Sequence, residues 1–318
     1  MALYLTGIHD ARQLSEFDPS SWTGRRRRIA IDLVDDIDRL GDASAREALF
    51  ERIVDARGAF KRTYRDRFAA FDAALLAAWN DLGWQGTNLH VLDAAVSDGS
   101  TALPLFAAFD RIAGDALRFT ATDLDGRYIR LSRPGEPARR VIVNEVGAIV
   151  QIVIPPFLFT HRESRFLFPV NRMLRCAAER WAAPLVEAWG RGTPPIAVRE
   201  ILLFNPQFRQ VVENDGRLEF TAWDILQPWN GKAAHCVRAM NVLNPGYFDG
   251  NQMRQAVRHL FDAVCDGGLL ALGSNEDAGT TVDGVICRRD GQRLVVITTM
   301  GHGFRAPEAL APLLASDR

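Results

Sequence analysis

The sequence predicts an α/β fold: a parallel sheet covered by helices on both faces and closed by a terminal antiparallel hairpin, with a helical N-terminal region and an inserted β/α subdomain. Three observations predict it. From Asn88 onward strand-like apolar runs alternate with helical segments, which is how parallel strands are connected. VLDAAVSDGST, at 91–101, is a buried strand that ends in an acid, breaks at small residues and Gly99, and then enters a helix. VDGVICRRDGQRLVVITTM, at 282–300, reads as two strands about an Asp290-Gly291 turn, a strong hairpin signal.

The elements follow in order. From Ala43 to Leu82 the apolar residues Leu49, Ile53, Phe60, Tyr64, Phe68, Phe71, Leu75 and Trp79 recur at three- and four-residue steps, so a helical region over 1–85 is expected. The run Arg25 to Arg28 before it reads as a solvated helix start or loop, with contact to a phosphorylated partner as the alternative. LHVLDAAV, a helix near Ala102 to Ile112, and RFTATDLD then open the sheet. After Asp125 the order is interrupted. Tyr128 to Leu131 and Arg139 to Ile154 look like strands joined by turns around Pro134-Gly135 and Asn144 to Gly147, and a helix is expected from Pro169 to Trp189. The block 127–193 therefore reads as an insertion. Alternation resumes with AVREILLFNP, RLEFTAWDIL, AAHCVRAMNVL, a helix from Gln252 to Val264 and a strand from Leu269 to Gly273. The expected organisation is a helical region at 1–85, a sheet domain at 86–305 carrying the insertion, and a tail at 306–318.

Composition limits the partners. A chain of 318 residues can bury roughly 75% of the surface its unfolded form exposes, so a core forms without disulfides or metal. The formal net charge of -1 gives no global attraction to nucleic acid or anionic membrane. Cys176, Cys236, Cys265 and Cys287 are scattered and lack CxxC spacing, so neither a metal nor a redox role is expected. MALYLTGIHDARQ lacks a basic stretch followed by an apolar core, and a cytoplasmic location is expected. The longest apolar run, Val146 to Phe159, contains Gln151 and the pair Pro155 and Pro156. It is shorter than the roughly 18 to 20 residues that span a bilayer.

A strand, a tight turn and a helix N-terminus bring backbone amides against a nucleoside, and an acid at the end of the second strand stands where ribose hydroxyls lie. Asp123 fills that place and Asp125 is the fallback. No GxGxxG pattern is present, which disfavours a pyrophosphate-bridged dinucleotide and an NAD-dependent oxidoreductase. No Ser-His-Asp order, HExxH or paired-carboxylate signature stands out.

NVLNPGYFDGNQMRQAVRHLFDAVCDGGLLALGSNED, at Asn241 to Asp277, resembles the stretch after the fourth strand of chemoreceptor glutamate methyltransferases and their relatives. Those proteins have an Asn-Val-Leu element, a Tyr-Phe pair, a long helix, a Gly-Gly turn and a strand ending near Gly-x-x-Glu. ATDLD at Ala121 to Asp125 resembles the group's second-strand acidic motif, and TAWDIL at Thr221 to Leu226 the element bordering adenine. The likeness covers roughly 64–125 and 201–300. Departures are present: Met240 stands where the group has Arg, Arg238 lies two residues earlier, and two extra residues including Pro245 separate Leu243 from Tyr247. The resemblance implies a Rossmann-like class I methyltransferase sheet and S-adenosyl-L-methionine as cofactor.

It also implies site residues. Asp93 lies near the methionine end of the cofactor, with Ala95, Ser97, Asp98 and Gly99 in the turn; an ordinary strand-to-helix loop is the alternative. Asp123 accepts from the ribose, with Leu124 beside it, or else caps the next segment. Asp224 accepts from the adenine amino group and Ile225 packs on the ring, or Asp224 is a cap. Asn241 holds the amino acid end of the cofactor or the substrate, or caps a loop. Tyr247 matches the group's tyrosine near the transferred methyl, or packs beside Phe248. Arg65 pairs with the cofactor carboxylate or lies on a charged helix face. His161, in a polar knot between two FLF triplets, is the candidate general base, an exposed loop being the alternative.

The expected reaction is methyl transfer to an oxygen or nitrogen of a small-molecule, glycan or lipid-linked acceptor. The insertion, with Phe157, Phe159, Phe166 and Phe168, is expected as the substrate lid. Two other readings stand beside it: a protein carboxylate (glutamate) methyltransferase, and a non-catalytic module that uses the cofactor fold to bind a partner.

Overall fold

The computed structural model describes residues 7–16, 28–41, 43–53, 61, 67–84, 88–160, 169–193, 196–275 and 281–315. The chain divides into two compact units, each assembled from two stretches: 1–63 with 125–203, and 64–124 with 204–318.

The first unit is built on a five-stranded antiparallel sheet. Its strands are β5 (Arg127–Ser132), β6 (Arg140–Asn144), β7 (Ile149–Ile154), β8 (Phe157–Thr160) and β9 (Ala197–Leu202), in the order β8-β7-β6-β5-β9. Period-two alternation, shifted by one residue at Val150 where a bulge interrupts the β6–β7 register, sorts their side chains onto two faces. Leu131, Val141, Val143, Ile152 and Phe159 pack under helix α6 (Pro169–Gly190), which supplies Ala178, Ala182 and Leu185. Tyr128, Ile142, Val150, Val153 and Leu158 point the other way. They meet the N-terminal stretch: β1 (Gly7–Ile8), α1 (Ala11–Ser15), β2 (Arg28–Ile29), α2 (Val34–Leu40) and α3 (Ala43–Phe50). Gln151, the polar residue inside the longest apolar run, is buried because it completes two backbone groups. Its Oε1 accepts from Ile31 N at 2.9 Å and its Nε2 donates to Ile29 O at 3.0 Å. A buried amide satisfied in this way costs little.

The second unit holds a seven-stranded sheet. In chain order its strands are β3 (Leu89–Ala94), β4 (Leu117–Asp123), β10 (Leu218–Ala222), β11 (Ala234–Met240), β12 (Val264–Asn275), β13 (Val282–Asp290) and β14 (Arg293–Met300). The spatial order is β10-β4-β3-β11-β12-β13-β14, the first five parallel and the last two antiparallel to their inner neighbours. This is the Rossmann-like sheet with a terminal antiparallel hairpin that the sequence reading expected. One face is covered by α4 (Ala69–Asp81), α5 (Ala102–Ala113) and α7 (Pro206–Asn214) through Phe71, Leu75, Trp79, Phe106, Phe109 and Phe208. The other is covered by α8 (Gly250–Asp262) and α9 (Pro307–Leu310) through Met253, Val257, Leu260, Phe261 and Leu310. Helix α8 starts where it does because of a capping box. Asp249 accepts from Asn251 N and Gln252 N, and Gln252 Oε1 accepts from Asp249 N.

The domain boundaries differ from those the sequence suggested. The expected helical region 1–85 contributes to both units: Leu49 and Ile53 enter the core of the first, and Phe68, Phe71, Leu75 and Trp79 that of the second. The segment 197–202 does not resume the parallel sheet; it pairs antiparallel with β5. The block 127–193 is part of a unit with its own core, and Phe157 and Phe159, expected in a lid, pack on the α6 side of that core. Phe166 and Phe168 lie outside the described residues. The expected tail folds back: Ala306, Ala309, Leu310 and Leu313 are buried, and Leu314 bridges Leu294. Among the described residues no helix is long and apolar enough to cross a membrane.

Candidate functional site

In the second unit the chain leaves β3 toward β4 and β10 on one side and returns in β11 on the other. The strand order reverses between β3 and β11, and a crevice outside the carboxyl ends of the strands at such a point is where open α/β sheets bind ligands. Parallel register brings Ala94, Asp123, Ala222 and the end of β11 to the same edge.

The backbone at this edge is bent in an uncommon way. Ala95 (φ 61°), Ser97 (φ 58°) and Asn241 (φ 59°) are left-handed although none is glycine. Side chains there are strained, and such residues cluster at ligand-binding sites when surrounding structure holds them. Here the holding groups are visible. Val96 N donates to Thr122 O at 2.9 Å, and Ser97 N donates to Asp123 Oδ2 at 2.7 Å, tying the loop after β3 to the end of β4. Asn241 N donates to Gly273 O at 2.8 Å. The Asn241 side chain is then clamped onto Asn275, with Nδ2 donating to its Oδ1 at 2.7 Å and Oδ1 accepting from its N at 2.8 Å. Arg67 donates to the same Asn275 Oδ1 at 2.6 Å.

Beneath the loop lies a buried ion cluster. Arg238 and Asp93 are register partners on β11 and β3. Arg238 Nε donates to Asp93 Oδ1 at 2.9 Å and Nη2 to Asp93 Oδ2 at 2.6 Å, while Nη1 donates to both oxygens of Asp72 on α4 at 2.7 and 2.8 Å. Nη2 also donates to Thr101 O at 3.0 Å. A guanidinium has five N–H donors, and all five are used. Burial alone would lower the Arg238 pKa, but the two carboxylates outweigh it and hold the group well above its ordinary value. For Asp72 burial wins over Arg238, and its pKa is raised. The arrangement joins α4, β3, β11 and the start of α5 at one point.

The other expected residues divide between that edge and elsewhere. Gly99, at φ 81°, is required structurally: a Cβ there would stand 2.3 Å from the Phe208 ring of α7. Its open side is thus filled by protein. Asp98, next to it, takes Ser100 N and Ser100 Oγ onto its carboxylate. Leu124 follows β4 and is half-buried, whereas Asp125 belongs to the first unit and accepts from Asn144 Nδ2 at 3.4 Å. Asp224 follows β10, and its Oδ1 accepts from Leu226 N at 3.0 Å. Ile225 is buried and its carbonyl lies 3.0 Å from His259 Nδ1. Tyr247 is half-buried in the turn before α8, its N donating to Asn244 O. Arg65 and His161 lie outside the described residues.

Sequence reasoning passed over Arg238 and Asp72 as site-builders. The signal was available: Arg238 sits inside AAHCVRAM, where a buried strand leaves a guanidinium no choice but to meet acids. Asp72 likewise falls on the apolar stripe of its helix beside Phe71 and Leu75.

Comparison with known proteins gives structural neighbours. No protein-family model and no curated protein matches the chain. Among solved structures, an O-methyltransferase family protein from Burkholderia thailandensis aligns over 76% of this chain and 46% of its own length, at 16% identity and a TM-score of 0.29. Magnesium protoporphyrin IX methyltransferase from Synechocystis PCC 6803, solved with SAH, aligns over 66% and 54%, at 14% identity and 0.31. An amino pentose methyltransferase from Micromonospora echinaspora, solved with SAM, aligns over 76% and 63%, at 15% identity and 0.31. The chain spans less than two thirds of the length of each.

Proposed function

We propose that the chain is an S-adenosylmethionine-dependent methyltransferase acting on an oxygen or nitrogen of a small-molecule, glycan or lipid-linked acceptor. The observation that carries this reading is the Ser97–Asp123 hydrogen bond at 2.7 Å, which fixes a left-handed loop against a carboxylate at the switch point of the sheet. The donor set suits the cofactor. Asp123 at the end of β4 and Asp224 just after β10 are carboxylates, which favour hydroxyl donors and a cation over a pyrophosphate.

S-adenosylmethionine supplies, when bound, a methyl group on an electron-poor sulfonium. Asp123 accepts from the ribose hydroxyls, with Leu124 beside it, and Asp224 with Ile225 borders the adenine. Asp93, Gly99 and Asn241 act by position: each is consumed by a protein partner and sets the shape of the loops that carry Ala95 and Ser97. Tyr247 stands on the turn that the family likeness associates with the acceptor. Alignment of nucleophile and methyl carbon can supply on the order of 7 to 11 kcal/mol of the barrier, so holding and drying the reactants is the chain's main task. Roles for Arg65 and His161 remain part of the proposal on the strength of the sequence alone.

The likeness to chemoreceptor glutamate methyltransferases supports a finer alternative, a protein carboxylate as acceptor. Incubation with methyl-labelled cofactor and host extract separates the two. Label in a small-molecule, glycan or lipid fraction supports the first acceptor class, label as a base-labile methyl ester on protein supports the second, and no transfer to any fraction contradicts the enzymatic reading.

A further inference from the structure

The first unit contains a cavity of about 600 Å³ that none of the residues of the proposed methyl-transfer site lines. Small-molecule pockets fall in the range of roughly 300 to 1,000 Å³. At its floor Asp32 and Arg140 are each only 4% exposed. Arg140 lies against Asp32 with Nε 2.6 Å from Oδ2 and Nη2 2.9 Å from Oδ1, and Arg130 Nη1 lies 3.2 Å from the same carboxylate. Two guanidiniums therefore share one carboxylate. A unit of positive charge is left at the floor, and a buried excess charge is costly unless something answers it.

Among the described residues, the other acids that line the cavity, Asp10 and Asp36, have hydrogen-bond partners of their own. Asp36 pairs with Arg39, and Asp10 caps α1 by accepting from Arg12 N at 2.7 Å. The two guanidiniums are held by backbone as well. Arg130 Nη2 donates to Pro137 O at 2.7 Å, and Arg140 donates from Nη1 to Ala138 O at 3.1 Å and from Nη2 to His9 O at 3.4 Å. Burial lowers the pKa of Arg130 most; Asp32 pulls it up, the charges of Arg140 and Arg199 push it down, and Asp36 pulls it up by a smaller amount. His9 is also lowered, by burial first and by Arg140 next, so its imidazole is neutral at pH 7 and can donate or accept. Beside this floor stand Leu33, buried, and Leu40, which is 71% exposed. An exposed leucine next to a cationic floor suits a molecule with one charged and one apolar end.

We propose that this cavity binds a small organic anion, its carboxylate or phosphate head answering Arg130 and Arg140 and a short apolar body lying against Leu33 and Leu40. The site is independent of methyl transfer, so its test does not use the cofactor. Thermal unfolding of the full chain is followed with sodium butyrate or inorganic phosphate, against sodium chloride at equal ionic strength. A saturable rise in Tm of about 2 to 4 °C at tenfold excess over Kd is expected with at least one anion, and the better of the two identifies the head group. Arg130→Gln abolishes the rise. Asp36→Asn, on the surface, releases Arg39 and lowers the half-saturating concentration about two- to fivefold. No rise above chloride with either anion overturns the proposal, as does an undiminished rise in Arg130→Gln. If Arg130→Gln does not fold, an unchanged half-saturation in Asp36→Asn overturns it.

Discussion

The guanidinium of Arg238 grips the carboxylate of Asp93 in a two-point fork, at 2.9 and 2.6 Å, across the line where β11 and β3 run side by side. The sheet's switch point is thereby stitched from below, and Asp72 completes the cluster from α4. Removing the guanidinium leaves two carboxylates in a dry interior. Arg238→Met is expected to cost about 3 to 5 kcal/mol, as breaking a buried pair does, read from the shift of the urea midpoint. A loss below about 1 kcal/mol would mean that the acids find other partners.

Gly99 and Phe208 form a second close pair. Gly99→Ala meets both a positive φ and a ring 2.3 Å from the new Cβ, so a loss of roughly 2 to 4 kcal/mol is expected from backbone strain plus overpacking. Phe208→Ala is itself destabilising, since the ring is buried. Combined, the two changes are expected to cost less than their sum by about 0.5 to 3 kcal/mol. Strict additivity in denaturation midpoints would separate the two sites.

Asn241 distinguishes backbone strain from side-chain bonding. Alanine and glycine both delete the clamp on Asn275, but only glycine is at ease near φ 59°. Asn241→Ala should therefore be less stable than Asn241→Gly by about 1 kcal/mol. Equal stabilities would show that the left-handed turn stores little strain.

Stability should also fall below neutral pH. Burial lowers the pKa of His90 and of His235 from the ordinary 6.5. His90 N donates to His235 Nδ1 at 2.9 Å, and His90 Nε2 lies 3.0 Å from Thr120 Oγ1. In the unfolded chain these imidazoles take up a proton near pH 6.5, while in the folded chain they resist until lower pH. The unfolded state then binds more protons, so the contribution is full above pH 6.5 and is lost as pH falls below it. Urea midpoints at pH 7 and pH 5 check this, and His90→Gln should flatten the slope. A midpoint that rises toward pH 5 would contradict it.

Much of the second unit was legible because its strands and helices alternate at their own periods and its turns carry the residues they need. Asp290-Gly291 marked the hairpin, with Gly291 at φ 60°, and the apolar spacing between Gln252 and Val264 marked α8. The first unit was not legible as a unit. Its sheet closes when β9 pairs with β5 across the whole of α6, and nothing local in AVREIL distinguishes an antiparallel partner from a parallel one. The left-handed Ala95 and Ser97 were equally hidden, since neither residue type signals positive φ. Gly99 was read as part of a cofactor-facing turn, and the sequence cannot say that Phe208, far along the chain, occupies the space beside it.

Isothermal titration of the full chain with S-adenosylmethionine, beside Asp123→Asn, measures the central claim most directly. Saturable binding is expected, weakened about 10- to 100-fold by Asp123→Asn, as loss of hydrogen bonds to a charged acceptor implies. Absence of binding at millimolar cofactor, or equal affinity in Asp123→Asn, would contradict it.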